Sequence, residues 1–226
     1  MTETNKAVGQ ERLWNKNYCK VMVTNFLLFF SFYLLTPLLP IYLDAEFAAD
    51  KDTIGIVLSG YVVATFLVRP FSGFIVDSFN RKTVLTICFF AFFICFTGYI
   101  GAGTLLMFAI VRTLHGLPFG AATVANSTAA IDVLPSLRRN EGIGFYGLSN
   151  NIAMAIAPSA GIWIYHATEN FGLLFWLSLA IALGAFLVST TVKLPRRQLI
   201  AKKPRLDLDH FFLRRAWLLA VNILLF

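Results

Sequence analysis

Residues 73–82 read GFIVDSFNRK, a short charged turn set between two long apolar runs. The run before it, Ile54–Val76, and the run after it, Val84–Ile100, each approach the roughly 20 residues that a helix needs to cross hydrocarbon. The tight turn is expected to fix the angle between the two helices. Gly73 and Asp77 are spaced i, i+4 and therefore share a helix face. Gly73 is expected to permit close helix approach. Asp77 falls at a helix C-terminus, where the macrodipole is already negative, so the carboxylate needs cations nearby. Arg81 and Lys82 follow directly.

Working outward, the same pattern recurs along the whole chain. Of its 226 residues, 58% are hydrophobic and 14% charged, against about 25% charged in an ordinary soluble domain, and the mean hydropathy is +0.70. Six complete spans are expected at Val21–Leu43, Ile54–Val76, Val84–Ile100, Leu105–Thr128, Ile143–Tyr165 and Phe171–Val192. A seventh begins near Ala216 and reaches Phe226 after too few residues to cross, so the chain reads as a fragment. The expected organisation is an amino-terminal tail (1–20), a six-span bundle (21–192), a basic central loop (193–215) and the start of span seven (216–226). The fold class is an all-α polytopic membrane protein. The first apolar block is too long for a signal-peptide core and lacks a small-x-small cleavage site, so it is expected to stay as a span.

The net charge of +7 does not suggest nucleic-acid binding, because the basic residues lie between apolar blocks rather than on one soluble face. Lys6, Arg12, Lys16, Lys20, Arg81, Lys82, Arg138, Arg139 and the stretch Lys193–Arg215 occupy one set of loops. The alternate set, DAEFAADKD (44–52), GAG (101–103) and HATENFG (166–172), holds Lys51 as its sole Lys or Arg. By the positive-inside rule the amino terminus is cytoplasmic. Trp163 and Trp176 flank the outer 5–6 turn, as belt residues or as ordinary packing. Cys19, Cys88 and Cys95 read as soft core residues. Cys88 and Cys95 are roughly 10 Å apart on one helix, beyond the about 7 Å that a disulfide allows. No metal spacing, P-loop or hydrolase signature occurs, so neither an enzyme nor a cofactor is expected.

The stretch FAIVRTLHGLPFGAAT (108–123) puts a permanent cation, Arg112, inside span four. Seven residues from the start of the span place it roughly 10 Å deep, near the middle of an about 30 Å core. On a lipid-facing side it would be costly, so it is expected to face the bundle interior or a watered cavity, as a functional group or as an arginine satisfied by neutral partners. Gly116 and Gly120 continue its stripe and suit close helix contact. His115 is a proton-relay candidate by its titration range, or a hydrogen-bonding helix contact. Asn126 is taken with these as a cavity candidate. In span five, Gly147, Asn151, Pro158 and Gly161 trace a helical stripe, with Asn151 either bonding across the bundle or lining a substrate path. Arg69 is expected to snorkel to the nearer interface. Pro37 and Pro40 should bend the outer half of span one and shape the cavity mouth.

These stretches together resemble the major facilitator superfamily. G-x-x-x-D-x-x-N-R-K after span two is similar to that family's signature loop, departing at Ser78, usually basic, and at Asn80, usually glycine. Asn tolerates the left-handed backbone that glycine would supply. RTLHGLPFGAA (112–122) is similar to the family's R-x-x-x-G-x-x-x-G-A-A in span four. RRNEGIGFYGLSNNIAMAIAPSAG (138–161) resembles the glycine–proline motif of antiporters, with Ala157 and Ile162 standing at expected glycines. The resemblance implies a first half of two three-helix inverted repeats, in a bacterial inner membrane, completed by a carboxy-terminal half. It implies proton-coupled efflux of a small organic molecule such as a sugar or drug, by alternating access, with Gly73, Asp77, Arg81 and Lys82 as a cytoplasmic gate. Uptake by symport or facilitated diffusion is the other transport reading. A non-transporting sensor or assembly module is the alternative of a different class.

Overall fold

The computed structural model describes residues 12–195. Most of the amino-terminal tail, the central loop beyond residue 195 and the start of span seven lie outside the described residues. Among those described there are seven α-helices and one 3₁₀ turn, and no strand: α1 Lys16–Leu35, α2 Leu39–Phe47, α3 Lys51–Ser78, α4 Arg81–Ile100, α5 Leu105–Val133, the turn Ser136–Arg138, α6 Arg139–Thr168 and α7 Phe171–Thr191. Five of the helices, α1, α3, α4, α5 and α7, are long and apolar enough to cross a membrane. The 30-residue α6 has the length, but Ser149, Asn150, Asn151 and its glycines dilute its apolar character.

Local chemistry sets the boundaries. Asn15 accepts from the Tyr18 amide at 2.8 Å to start α1, and Thr104 and Asn170 start α5 and α7 in the same way, at 3.2 and 3.1 Å. Each satisfies an amide that helix geometry leaves unpaired. Span one is two helices rather than one bent helix. α1 stops at Leu35, just before Thr36-Pro37: Thr36 itself keeps helical φ and ψ of −51° and −46°, but Pro37 has no N–H to donate and its ring crowds the carbonyl four residues back. The chain re-enters helix at Leu39 with Pro40 in the first turn, where a missing N–H costs nothing.

The expected left-handed Asn80 is not found. Its φ is −62°, and its side chain instead caps α4 by accepting from Lys82 N and Thr83 N at 3.0 and 3.3 Å. Asparagine replaces a turn glycine here by serving as a cap, not by adopting its backbone. α5 runs five residues past the expected Thr128, ending just before Leu134-Pro135.

The helix neighbours repeat. α1 packs on α6 and α7, and α5 packs on α3 and α4, while α4 meets α7 and α1 meets α5. Exchanging the first three spans (α1 with α2, α3, α4) for the last three (α5, α6, α7) leaves this pattern unchanged. Because successive spans reverse direction, spans one and four run oppositely, so the two triplets are inverted repeats. The core between them is aromatic, with Phe89, Phe92, Phe96, Tyr99 and Phe108 fully buried.

Glycine matters where α3 meets α5. A Cβ on Gly116 would overlap the Tyr61 carbonyl, and one on Gly120 would lie 2.9 Å from the Thr65 carbonyl. Gly161 of α6 meets the Leu34 carbonyl of α1 in the same way, an equivalent contact under the repeat. Gly73 and Gly147 do not pack helices in this bundle. A Cβ on either meets nothing within 4 Å, because both lie on faces of α3 and α6 that no described helix covers. Cys88 and Cys95 are partly buried, but Cys19 is exposed and is not a core residue. Trp163 and Trp176 are both exposed, so neither is an interior packing residue, and Arg69 is likewise at the surface.

Candidate functional site

Arg112 is the centre of the buried chemistry. It is 4% exposed, and the register of α5 turns it toward α1, α3 and α4 rather than outward. Its guanidinium lies over the Tyr61 ring at 4.2 Å and over Phe32 at 5.4 Å from the centroids. These ring faces offer negative quadrupole to a cation that the low-dielectric interior leaves poorly solvated. Nη1 donates a long 3.4 Å bond to the Tyr99 hydroxyl, which is also 3.0 Å from His115 Nδ1. No carboxylate among the described residues pairs with Arg112. Among the buried polar atoms of this chamber, Arg112 Nε and Tyr61 Oη have no hydrogen-bond partner within the described residues. Leaving such an atom unmet costs about 1–3 kcal/mol, so the chamber holds donor capacity that the bundle does not use.

His115 sits one turn on, walled by Phe92 and Phe96 at 4.7 Å between ring centroids. Its contact with the Tyr99 hydroxyl orients that group toward Arg112. Asn126 does not line a cavity. It is fully buried and joins three helices: its amide donates to Val21 O at 3.3 Å and to Tyr146 Oη at 3.2 Å, and its oxygen accepts from Thr24 at 2.9 Å. Asn25 extends the network to Ser149 at 2.9 Å. Asn151 makes no hydrogen bond across the bundle and is exposed on the uncovered face of α6; the bundle-crossing role belongs to Asn25 and Asn126. Pro158 lies inside α6 one turn before Gly161.

A second charged constellation forms where α3 turns into α4. Arg81 reaches Asp77 on α3 at 2.7 Å and Asp132 on α5 at 2.5 Å. Asp132 was hidden because the span-four expectation ended at Thr128. The signal that would have found it is Pro135, the first strong helix stop after the run. Lys82 points elsewhere, donating to the Ser189 and Thr190 carbonyls of α7 at 2.5 and 2.7 Å, and Lys20 donates to Thr191 O at 2.9 Å. Both ammonium groups meet the negative end of α7, where unpaired carbonyls and the macrodipole favour cations.

The profile of the Major Facilitator Superfamily matches residues 21–226. The chain belongs to the Major Facilitator Superfamily. Among its relatives is the MFS-type transporter YhhS of Escherichia coli K12, 26% identical over 219 residues that cover 93% of this chain and 53% of YhhS. The staphylopine export protein of Staphylococcus aureus Mu50 is 27% identical over 124 residues, covering 55% of this chain and 31% of that protein. The chain spans about half the length, or less, of the curated relatives it matches. The crystal structure of the human organic anion transporter MFSD10 superposes with a TM-score of 0.65 at 19% identity, covering 77% of this chain and 46% of that one. This likeness speaks to the fold, that of the six-helix half of an MFS transporter. The chain is therefore part of an integral, multi-pass membrane protein of the MFS transporter type. Within that fold the Arg112 chamber and the Asp77–Arg81–Asp132 cluster lie at different depths of one bundle.

Proposed function

We propose that the chain is the first half of a secondary transporter that exports small organic molecules by alternating access, driven by the proton gradient. The observation that carries this reading is the Arg112 chamber: a permanent cation at mid-span depth, caged by Tyr61, Phe32 and Tyr99, with an unspent donor and no carboxylate. A purely structural arginine would be expected to have its donors met by carbonyls or acids. Arg112 is left to engage an acceptor on a substrate, with the aromatic rings supporting an apolar body.

Support for export comes from the similarity to an export protein and from the partial glycine–proline motif ending at Pro158 and Gly161. The bacterial relatives support an inner-membrane location, with the amino terminus cytoplasmic by charge distribution. Gly73 and Asp77 line an uncovered face beside Arg81, which suits a gate closing against a second half. His115, enclosed by rings, serves as a positioning group for Tyr99 and Arg112.

The test uses the complete protein in inverted vesicles. Substrate accumulation is expected to require an imposed proton gradient and to fall at least tenfold in Arg112→Ala. Accumulation that persists after the gradient is collapsed would remove the coupling. Wild-type transport by Arg112→Ala would remove the site.

A further inference from the structure

We infer that the end of the bundle opposite the Asp77–Arg81 turn carries a site for an organic ammonium group, distinct from the Arg112 chamber. A cavity of about 470 Å³ opens there between α2, the end of α4, the α6–α7 turn and the first turns of α7. That volume is within the range of small-ligand sites, about 300–1,000 Å³. Its wall is mixed, and Tyr42, Tyr99, Phe175 and Trp176 are its main rings. Phe175 links the wall, edge-to-face with Tyr42 at 5.0 Å and stacked on Tyr99 at 5.8 Å. Glu46 and Glu169 also line the cavity. Neither carboxylate has an ion-pair or hydrogen-bond partner among the described residues. No lysine, arginine or histidine is among the lining residues.

The combination selects the ligand. Two carboxylates facing one cavity without a cation disfavour an anionic guest and favour a positive one. A hard metal ion requires a cage of six or more oxygens, and no group of three or more potential ligands occurs among the described residues. Aromatic faces favour a cation that sheds its water cheaply, as methylated and alkylated ammonium groups do. The acids alone would mark only a negative surface; the ring-lined cavity gives them a shape to act on. The ammonium could be borne by a free solute or by a phospholipid headgroup, since Trp176 is exposed at the rim. Tyr99 lies between this cavity and the Arg112 chamber: it lines the cavity while only 2% exposed, and its hydroxyl meets Arg112 and His115. The site stands on this geometry and does not depend on the direction or substrate of transport.

The complete protein in a neutral detergent would be titrated with tetramethylammonium chloride against sodium chloride at equal ionic strength. The readouts are tryptophan fluorescence and Tm. A saturable fluorescence change with a rise in Tm is expected. The apparent affinity should weaken at least tenfold in the Glu46→Gln/Glu169→Gln double variant and in Phe175→Leu. The double variant removes charge from side chains that make no internal bond, so its Tm without ligand should match the wild type. A response that does not saturate, or one the double variant retains in full, overturns the proposal. Repetition in nanodiscs identifies the source: weaker tetramethylammonium binding in phosphatidylcholine than in a neutral glycolipid without an ammonium group assigns the site to a lipid headgroup, and equal binding assigns it to a soluble cation.

Discussion

Arg81 on α4 donates to Asp132 on α5 at 2.5 Å, and the same guanidinium reaches Asp77 on α3 at 2.7 Å. One side chain thus joins three helices at one end of the bundle. The two carboxylates are not equivalent, for the side chain of Asp132 is 18% exposed and that of Asp77 is 67% exposed. A charge pair screened by solvent is worth about 0–1 kcal/mol, whereas a hydrogen bond to a charged group away from solvent is worth about 1.5–3 kcal/mol. Asp132→Asn is therefore expected to lower the Tm of the purified complete protein by several degrees, and Asp77→Asn by much less. Transport should respond to both if Asp77 acts at a gate. Equal thermal effects of the two substitutions would contradict the assignment of Asp132 as the structural partner.

The glycines should separate in the same kind of experiment. Adding a methyl at Gly116 or Gly161 forces two helix backbones apart, an overpacking cost of about 1–3 kcal/mol. At Gly73 or Gly147 the added methyl meets nothing in this half. Gly116→Ala and Gly161→Ala are expected to reduce folded yield and Tm. Gly73→Ala and Gly147→Ala should leave the stability of the bundle unchanged or slightly improved, since alanine favours helix over glycine by about 1 kcal/mol. Loss of transport at unchanged Tm in the latter pair would place those faces against the second half.

The Arg112 chamber predicts that charge alone is not sufficient. Lysine keeps the cation but loses the planar group that lies over Tyr61 and Phe32 and the fork of donors. Arg112→Lys is expected to retain less than a tenth of wild-type transport. Tyr99→Phe, which removes the hydroxyl's long bond from Arg112 and its contact with His115, should cost about fivefold, corresponding to about 1 kcal/mol. The measurement is initial rate against substrate concentration. Equal rates for wild type and Arg112→Lys would reduce the chamber to a generic positive potential.

Lys82 and Lys20 act on α7 rather than on Asp77. Lys82→Ala should expose the Ser189 and Thr190 carbonyls, costing about 0.3–1 kcal/mol. The expected result is faster amide hydrogen exchange confined to the last turn of α7, with a further increase in the Lys20→Ala/Lys82→Ala double variant. Unchanged exchange there would show that the two lysines are only surface charge.

Much of this organisation was legible because a membrane limits what a chain can do with its backbone. Apolar runs of spanning length and the residues of GFIVDSFNRK sufficed for the all-helical membrane fold and the family. The interior position of Arg112 followed from the cost of charge in lipid. Pro37 and Pro40 were read as a bend in span one, whereas the helix breaks fully at 36–38, an outcome that depends on how the flanking turns settle. Span four was cut short at Thr128 because hydropathy fades before the helix does, and Asp132 was lost with it. Asn126 was read as cavity-lining because one helix alone does not reveal which neighbour its polar face meets.

The sequence by itself determined an all-helical membrane bundle, because the 3.6-residue helix is how a single apolar segment satisfies its own backbone in hydrocarbon. Tertiary structure alone decided the partners. Which rings enclose Arg112, which carboxylate shares Arg81, which glycines touch a backbone and which face is left open all depend on residues far apart in the chain. Those pairings are set by how two inverted triplets interlock, a geometry that no local spacing contains.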